Sequence, residues 1–298
     1  MLPATSANLG PAFDAAALAF SMFLKVKAKE AHEFSIMATG RDAAICGELQ
    51  NHLVLQTYRE VLESEGRAVT PLALDIVNQI PIGKGCGSSA AARLAGIALA
   101  VHFGRLGWDE SDIVDEASRR EHHPDNAAAC WMGGIAIAGS FNNGQTQMAT
   151  LKPKGKWPLL LAVPEETLST EKARGVLPDQ YPRADVVSNL QNSMLMFTAF
   201  SQGRHDLLPA ALEDRIHQPY RASLCPLLPA LQQLNGPGIL GVALSGAGPS
   251  VVIFLEPAAN QKGIKHWIEK QLAANRLLAE LLPAAITLRG ARVSWRSA

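Results

Sequence analysis

The stretch Pro81 to Gly96, PIGKGCGSSAAARLAG, carries the most readable chemistry in this chain. Gly83, Gly85 and Gly87 alternate with Lys84 and Cys86, and Ser88, Ser89, Ala90 and a run of helix-favouring residues follow. Glycine reaches positive φ without a Cβ penalty, and the first turn of a helix leaves unpaired N–H donors and a partial positive charge. A glycine loop opening into a helix N-terminus is therefore suited to hold phosphate on backbone donors. It is not a Walker loop, because Lys84 comes too early for the terminal Gly-Lys-Ser/Thr. The alternative is a plain turn capped by Ser88 or Ser89, and the Gly-Ser-Ser-Ala-Ala run weighs against it.

A second concentration of polar groups reads Glu121-His-His-Pro-Asp-Asn126, ahead of Gly133-Gly134. Such density is costly inside a domain unless it is used. Zinc on His122, His123 and Asp125 is one reading, but neighbours around a proline rarely converge, and the sequence holds no further ligand cluster. A hard cation needing one or two carboxylates, with phosphate oxygens completing its shell, fits better. His123 is expected as a hydrogen-bonded structural histidine rather than a catalytic one. The opening segment, MLPATSANLGPAFDAAALAF, sets Thr5, Ser6, Asn8 and Asp14 among Pro3, Gly10 and Pro11. It reads either as a ligand loop or as an ordinary capped loop. Asn51 and His52 precede a helix, as cap or as ligand contacts. Arg174 falls in an expected loop with Ser169 and Thr170, and Arg215 and Arg221 are anion candidates or exposed surface residues.

The elements that must position these groups follow from pattern. Leu72-Ala-Leu-Asp-Ile-Val77 alternates as a half-buried strand before the glycine loop. Helices are expected over Leu53–Ser64, from Ser88 to about Gly104, from Trp108 to Ala117, over Arg183–Gln202, over Leu227–Leu234 and from about Asn260 to Leu282. Strands are expected between Phe20 and Ile36, from Ile135, over Pro158–Val163, on both sides of Ser245–Ser250, and near Val293. The 298 residues predict two domains, with the boundary in the turn-rich segment Asn142–Gly155 and domains of 1–148 and 149–298. Lys plus Arg (27) balance Asp plus Glu (27), which with no basic run excludes a nucleic-acid partner. Cys46, Cys86, Cys130 and Cys225 are too dispersed for a disulfide framework or zinc site. They read as reduced thiols, and with no leader pattern or membrane-length apolar run the chain is expected in the cytoplasm.

Four stretches in order, Pro3–Gly10, the PIGKGCGSSAA loop, His123–Asn126 with Gly133-Gly134, and Leu244–Ser250, resemble the motifs of the GHMP kinases. PATSANLG and HPDN resemble those of the homoserine kinase branch. The resemblance implies an α+β fold of two domains, a ribosomal-protein-like N-terminal domain and a ferredoxin-like C-terminal one, commonly in a homodimer. It implies transfer of the γ-phosphoryl of ATP to the side-chain hydroxyl of L-homoserine, in threonine biosynthesis. On the same comparison Pro81, Gly83, Lys84, Gly85, Cys86, Gly87, Ser88, Ser89 and Ala90 bind ATP, the backbone of Gly85, Gly87, Ser88 and Ser89 holding its phosphates, and Asn51 meets adenine. Ser89 and Glu121 meet Mg²⁺, with Glu116 second to Glu121. Asn8, Asp14, Asp125, Arg174 and Arg221 hold the amino acid, and Asn126 lies near the accepting hydroxyl, with Asp125 assigned to binding before base catalysis. An arginine pair suits an α-carboxylate and carboxylates suit an α-ammonium.

Three departures carry expectations. Ala12-Phe13-Asp14 followed by Ala15-Ala16-Ala17 stands where relatives read Gly-Phe-Asp followed by Leu-Gly; each glycine replaced by alanine costs about 1–2 kcal/mol if the backbone there is left-handed, and would reseat the substrate loop. Only Met1 and Leu2 precede the PATSAN segment, where relatives carry an edge strand. Cys86 replaces a leucine, a tolerable change at a small apolar site. The competing readings are a GHMP kinase acting on another small hydroxylated metabolite and a non-catalytic nucleotide-binding paralogue.

Overall fold

The computed structural model describes residues 1–140, 145–234 and 236–294. The elements run β1 (Leu2–Asn8), β2 (Ala12–Glu30), β3 (Ser35–Gly40), α1 (Ala43–Gly47), α2 (Leu53–Ser64), β4 (Leu72–Asn78), α3 (Ser88–Phe103), α4 (Glu110–Glu121), α5 (Asp125–Met132), β5 (Ile135–Ser140) and β6 (Thr146–Leu151). They continue with β7 (Pro158–Val163), α6 (Thr170–Arg174), α7 (Arg183–Gln202), α8 (Leu208–Ala211), α9 (Gln218–Arg221), α10 (Leu227–Gln232), β8 (Ile239–Leu244), β9 (Val251–Leu255), α11 (Gln261–Ala274) and β10 (Glu280–Ala285).

Six strands form the first sheet, in the order β3-β4-β2-β5-β6 with β1 paired to β2. Long β2 organises it: Ala16–Leu18 pair with β5, and Leu24–Glu30 pair with β4. The second sheet has the order β10-β7-β9-β8, all antiparallel, and with α7 and α11 it makes the ferredoxin-like βαββαβ arrangement. The α+β architecture expected from the sequence is therefore present.

Side-chain alternation along β7 splits the core in two. Leu159 and Leu161 join Leu18, Phe20, Phe200 and Phe254 in a cluster shared with the first sheet. Leu160 and Ala162 face the other way, onto Ile253 and Ile268. One shared core thus fixes the second sheet against the first and holds their loops in register. A separate alanine cluster, including Ala7, Ala17, Ala128, Ala129 and Ala136, seats α5 closely on β1, β2 and β5.

Several expectations need correction. The opening segment is no loop: Leu2–Asn8 is a wholly buried strand, and only its end and the turn after it reach the site. Ala12 and Ala15–Ala17 lie in β2 and none has positive φ, so the anticipated alanine strain is absent; Asn8, Leu9 and Asp14 take the left-handed conformation instead. Residues Ser169–Arg174 form a short helix capped by the Ser169 hydroxyl on Lys172 N. The last helix stops at Ala274, and the segment around Pro283 is strand β10, whereas Val293 lies in no strand. A boundary at 148/149 falls within β6, which pairs with β5 from Thr146 to Leu151. The change of sheet comes between Leu151 and Pro158, and residues 141–144 of the anticipated boundary segment lie outside the described residues.

Candidate active site

One cleft gathers most of the sequence-derived candidates: Asn8, Asp14, Gly83, Gly85, Cys86, Gly87, Ser88, Ser89, Glu121, Asp125, Asn126, Arg174 and Arg221 all line it. The glycine loop forms one wall. Gly83, Gly85 and Gly87 have φ of 69°, 76° and 69°. The loop is pinned on both flanks: Thr5 N donates to Cys86 O at 3.1 Å, and the Ser245 hydroxyl donates to Gly85 O at 2.8 Å. A Cβ on Gly87 would lie 1.9 Å from Thr5 Oγ1, and one on Gly85 would lie 2.2 Å from Ser245 O. Gly85→Ala is therefore expected to destabilise the chain by about 2–5 kcal/mol, combining left-handed strain with overpacking against backbone. Urea denaturation measures it, and a loss below about 1 kcal/mol would show that the loop can shift away.

Helix α3 starts directly from the loop. Its N-cap is Gly87, with no side-chain cap and no acidic residue in the first turn, so neither Ser88 nor Ser89 caps it as the plain-turn reading required. The N–H groups of its first turn are left outside the helical ladder, and the positive end of the helix faces the cleft unneutralised. Ser89 Oγ donates to Glu121 Oε1 at 2.6 Å, and Arg93 Nε donates to the same oxygen at 2.6 Å. Among the described residues Glu121 Oε2 has no hydrogen-bond partner. A serine hydroxyl and a mostly buried carboxylate are hard oxygen donors of the kind a Mg²⁺ ion takes.

The N-terminus of α5 supplies the next groups. Asp125 is 1% exposed; its Oδ1 accepts from Asn126 N at 2.6 Å and lies 2.7 Å from His123 Nδ1, while its Oδ2 is buried without a partner. Burial alone would lower the His123 pKa, but the Asp125 hydrogen bond and the nearby acids leave it above the ordinary value. Asn126 Oδ1 accepts from Thr5 Oγ1 at 2.6 Å, which leaves its Nδ2 as a donor. Among the described residues Asp14, His123 and Asp125 bring ligand-type atoms within 4.8 Å of one another. His122, part of the zinc reading, instead ends α4 in a left-handed conformation.

Opposite stand the arginines. Asp14 receives Arg174 in a two-pronged pair, at 2.9 and 2.7 Å, which raises the Arg174 pKa. Asp14 N also donates to Asn8 Oδ1, and Asn8 Nδ2 to Gly246 O, tying the turn after β1 to the β8–β9 connection. Arg221 is 1% exposed. Its Nε donates to Ala173 O at 3.0 Å and its Nη1 approaches His217 Nδ1 at 3.2 Å, but no carboxylate is paired with it, and among the described residues Nη2 has no partner. Burial, followed by the Arg174 charge, pushes its pKa below the ordinary value.

Some expected residues do not converge. Pro81 and Ala90 are buried away from the cleft, and Lys84 turns outward to donate to the carbonyls of Glu165 and Glu166. Asn51 lines a separate recess with Leu49, His52, Leu55 and Arg59. Glu116 is held by Arg119 and Arg120 and lines neither. Conversely Thr5, Phe13, Arg93, His217 and the Gly246–Gly248 turn were not singled out as site residues. Two had a signal: Thr5 among the polar groups of the opening segment, and the small residues of the Gly-Ala-Gly turn, which allow that loop to come close.

The GHMP kinases N terminal domain matches residues 52–134, and the GHMP kinases C terminal domain matches 196–274. A homoserine kinase of Solibacter usitatus is 41% identical over 289 residues, covering 97% of this chain and 94% of that protein. One from Deinococcus radiodurans is 34% identical with the same coverages. In structure, the homoserine kinase of Cytophaga hutchinsonii superposes with a TM-score of 0.80 at 22% identity, covering 97% of this chain and 94% of that one. The L. major mevalonate kinase solved in complex with R-mevalonate gives 0.72 at 15%, covering 97% and 95%. With both domain models in order and full-length relatives above 30% identity, the chain belongs to the GHMP kinase family.

Proposed function

We propose that this kinase transfers the γ-phosphoryl group of ATP to the side-chain hydroxyl of L-homoserine, giving O-phospho-L-homoserine for threonine biosynthesis. Full-length relatives carrying the homoserine kinase name support the substrate. The observation that carries the reading is a pair of buried groups with unused bonding capacity beside a phosphate-type loop: Arg221, 1% exposed and without an acid partner, and Asp125, whose Oδ2 is unpartnered although its Oδ1 meets His123. A zwitterionic amino acid completes both, its carboxylate on Arg221 and its ammonium on Asp125 and Asp14. A hydroxy acid without an amino group would leave the buried Asp125 Oδ2 without a donor, which is the specificity argument.

Phosphoryl transfer asks the protein for positioning and charge neutralisation more than for covalent chemistry. The backbone of Gly85, Gly87, Ser88 and Ser89 holds phosphate oxygens at the α3 N-terminus. Ser89 and Glu121 hold Mg²⁺, which when bound screens the phosphate charge. Asn126 Nδ2 orients the accepting hydroxyl, and Asp125 serves binding, since its Oδ1 already accepts two hydrogen bonds. The recess of Asn51 takes adenine. It contains the unpartnered Nδ1 of His52, a polar group available to a base edge.

No helix among the described residues is long and apolar enough to cross a membrane, and the four cysteines are buried and free. Both suit a cytoplasmic enzyme. A homodimer completes the reading, supported by the exposed row Val186, Val187, Leu190 and Met194 on α7; light scattering should give twice the mass of one chain. The deciding assay is ADP release with Mg-ATP and L-homoserine, L-threonine, L-serine, mevalonate or no acceptor. Release with homoserine far above the other acceptors is expected; release governed by another acceptor, or none at all, would remove the assignment.

A further inference from the structure

His217 is completely buried in the wall behind Arg221. Its Nε2 lies 2.7 Å from Gly10 O and its Nδ1 lies 3.2 Å from Arg221 Nη1. A carbonyl oxygen only accepts and a guanidinium only donates. The ring is therefore the neutral tautomer with its hydrogen on Nε2. Burial first, and the Arg221 charge with it, hold its pKa down at about 4 against the pull of Asp214, 3.5 Å away. Asp214 is already engaged by the N–H groups of Ile216, His217 and Gln218 and by Asn189 Nδ2.

The ring also stacks on Phe13, with centroids 5.2 Å apart, and the Arg221 guanidinium sits 5.2 Å from the same Phe13 ring. One imidazole thus touches the turn that carries Asn8 and Asp14 and, on its other nitrogen, the arginine across the cleft. An arginine with several rotatable bonds would otherwise be free to choose which edge it presents. With Nε on Ala173 O and Nη1 on His217, the remaining Nη2 edge is the one left for a ligand.

We infer that His217 is a positioning residue for amino-acid recognition: the lone pair on its Nδ1 fixes Arg221 so that its free edge meets the substrate carboxylate. This rests on the homoserine reading above. Kinetically it places His217 in the homoserine KM rather than in ATP binding or in the transfer step. The side chain can be dissected, because asparagine sets its amide oxygen near the position of Nδ1 but does not reach Gly10, whereas phenylalanine keeps the ring volume and stacking and lacks both nitrogens.

The test is steady-state kinetics of the full chain with His217→Phe and His217→Asn. His217→Phe is expected to raise the homoserine KM about tenfold or more, with kcat changing less than KM and the ATP KM within about twofold, whereas His217→Asn stays within about threefold in homoserine KM. An unchanged homoserine KM in His217→Phe, or an equal rise in both substrates, overturns the inference. If His217→Phe does not fold, a folded His217→Asn with a tenfold higher homoserine KM overturns it and one near wild type upholds it. Independently of any substrate, ¹⁵N spectra of the wild-type imidazole should show the neutral Nε2–H form between about pH 6 and 8. A charged ring or an Nδ1–H form overturns the inference, while a wild type silent towards homoserine strikes the functional reading and leaves the tautomer result standing.

Discussion

Glu121→Ala is expected to lower kcat by about two to three orders of magnitude, the range seen when one preorganised charge-stabilising group is removed from a transition state. Among the described residues Glu121 is the one carboxylate hydrogen-bonded to Ser89, in the first turn of the helix proposed to receive the phosphates. On the proposed metal assignment, its removal would take away the protein anion that holds Mg²⁺, and the developing charge on the transferred group would be less well screened. The fold should tolerate the change. Arg93, which loses its partner, keeps 25% of its side chain exposed, so water takes over part of its solvation and the stability cost is of order 1 kcal/mol. Ser89→Ala should fall in the same direction, and the double variant should lose less than the product of the two, because both residues serve one ion. The checks are turnover as a function of Mg²⁺ concentration and urea denaturation of each variant. Wild-type turnover with wild-type Mg²⁺ dependence in both single variants would remove the metal assignment, and a collapse of stability would show that Glu121 is structural.

Where local pattern and tertiary role coincide, the chain is legible from its sequence. The glycine loop, α2, α7 and β7 lie where periodicity and turn residues place them, since each has a strong local signal and a partner surface that demands no change. Asp125 and Asn126 stood out because polar density has few reasons to persist beside an alanine helix. The C-terminal end misled for a physical reason. The run AANRLLAELLPAA favours helix, yet Glu280–Ala285 is an edge strand on β7, an environment in which Pro283 costs no ladder bond on its open side. The buried opening strand misled in the other direction, since Thr5, Ser6 and Asn8 look like a solvated loop until β2 and the glycine loop cover them. Long-range pairs were illegible altogether. The contact of His217 with Gly10 spans 207 residues and that of Arg174 with Asp14 spans 160, so no spacing rule could reveal that a turn near the N-terminus holds both arginines in place.

Arg221→Met should separate stability from function. Breaking a buried ion pair costs about 3–5 kcal/mol because an uncompensated charge remains. Arg221 is buried without an acid partner, so its removal leaves no such charge: Asp14 keeps Arg174, and Asp214 keeps its backbone donors. What is lost is the bonding of Ala173 O and His217 Nδ1, about 1–3 kcal/mol each when orphaned, and a long 3.5 Å contact with Gly246 O, which keeps Asn8 Nδ2 as its donor. What is gained is relief from burying an unpaired guanidinium, a penalty of several kcal/mol in real proteins. These terms oppose, and the net change in stability is expected to stay within about 2 kcal/mol. Homoserine recognition has no such offset. Loss of the partner for a desolvated carboxylate should raise the homoserine KM by about two to three orders of magnitude, 2–5 kcal/mol being usual for a truncated buried charge pair, with ATP binding retained. Saturating homoserine should raise the Tm of the wild type and leave that of Arg221→Met where it was. A large fall in stability would mean that the guanidinium holds the fold together, and an equal loss of both substrates would mean that it shapes the cleft as a whole. The predicted pattern, a stable protein that binds nucleotide and has lost its amino acid, follows only if the guanidinium is held in its burial for the sake of the ligand it meets.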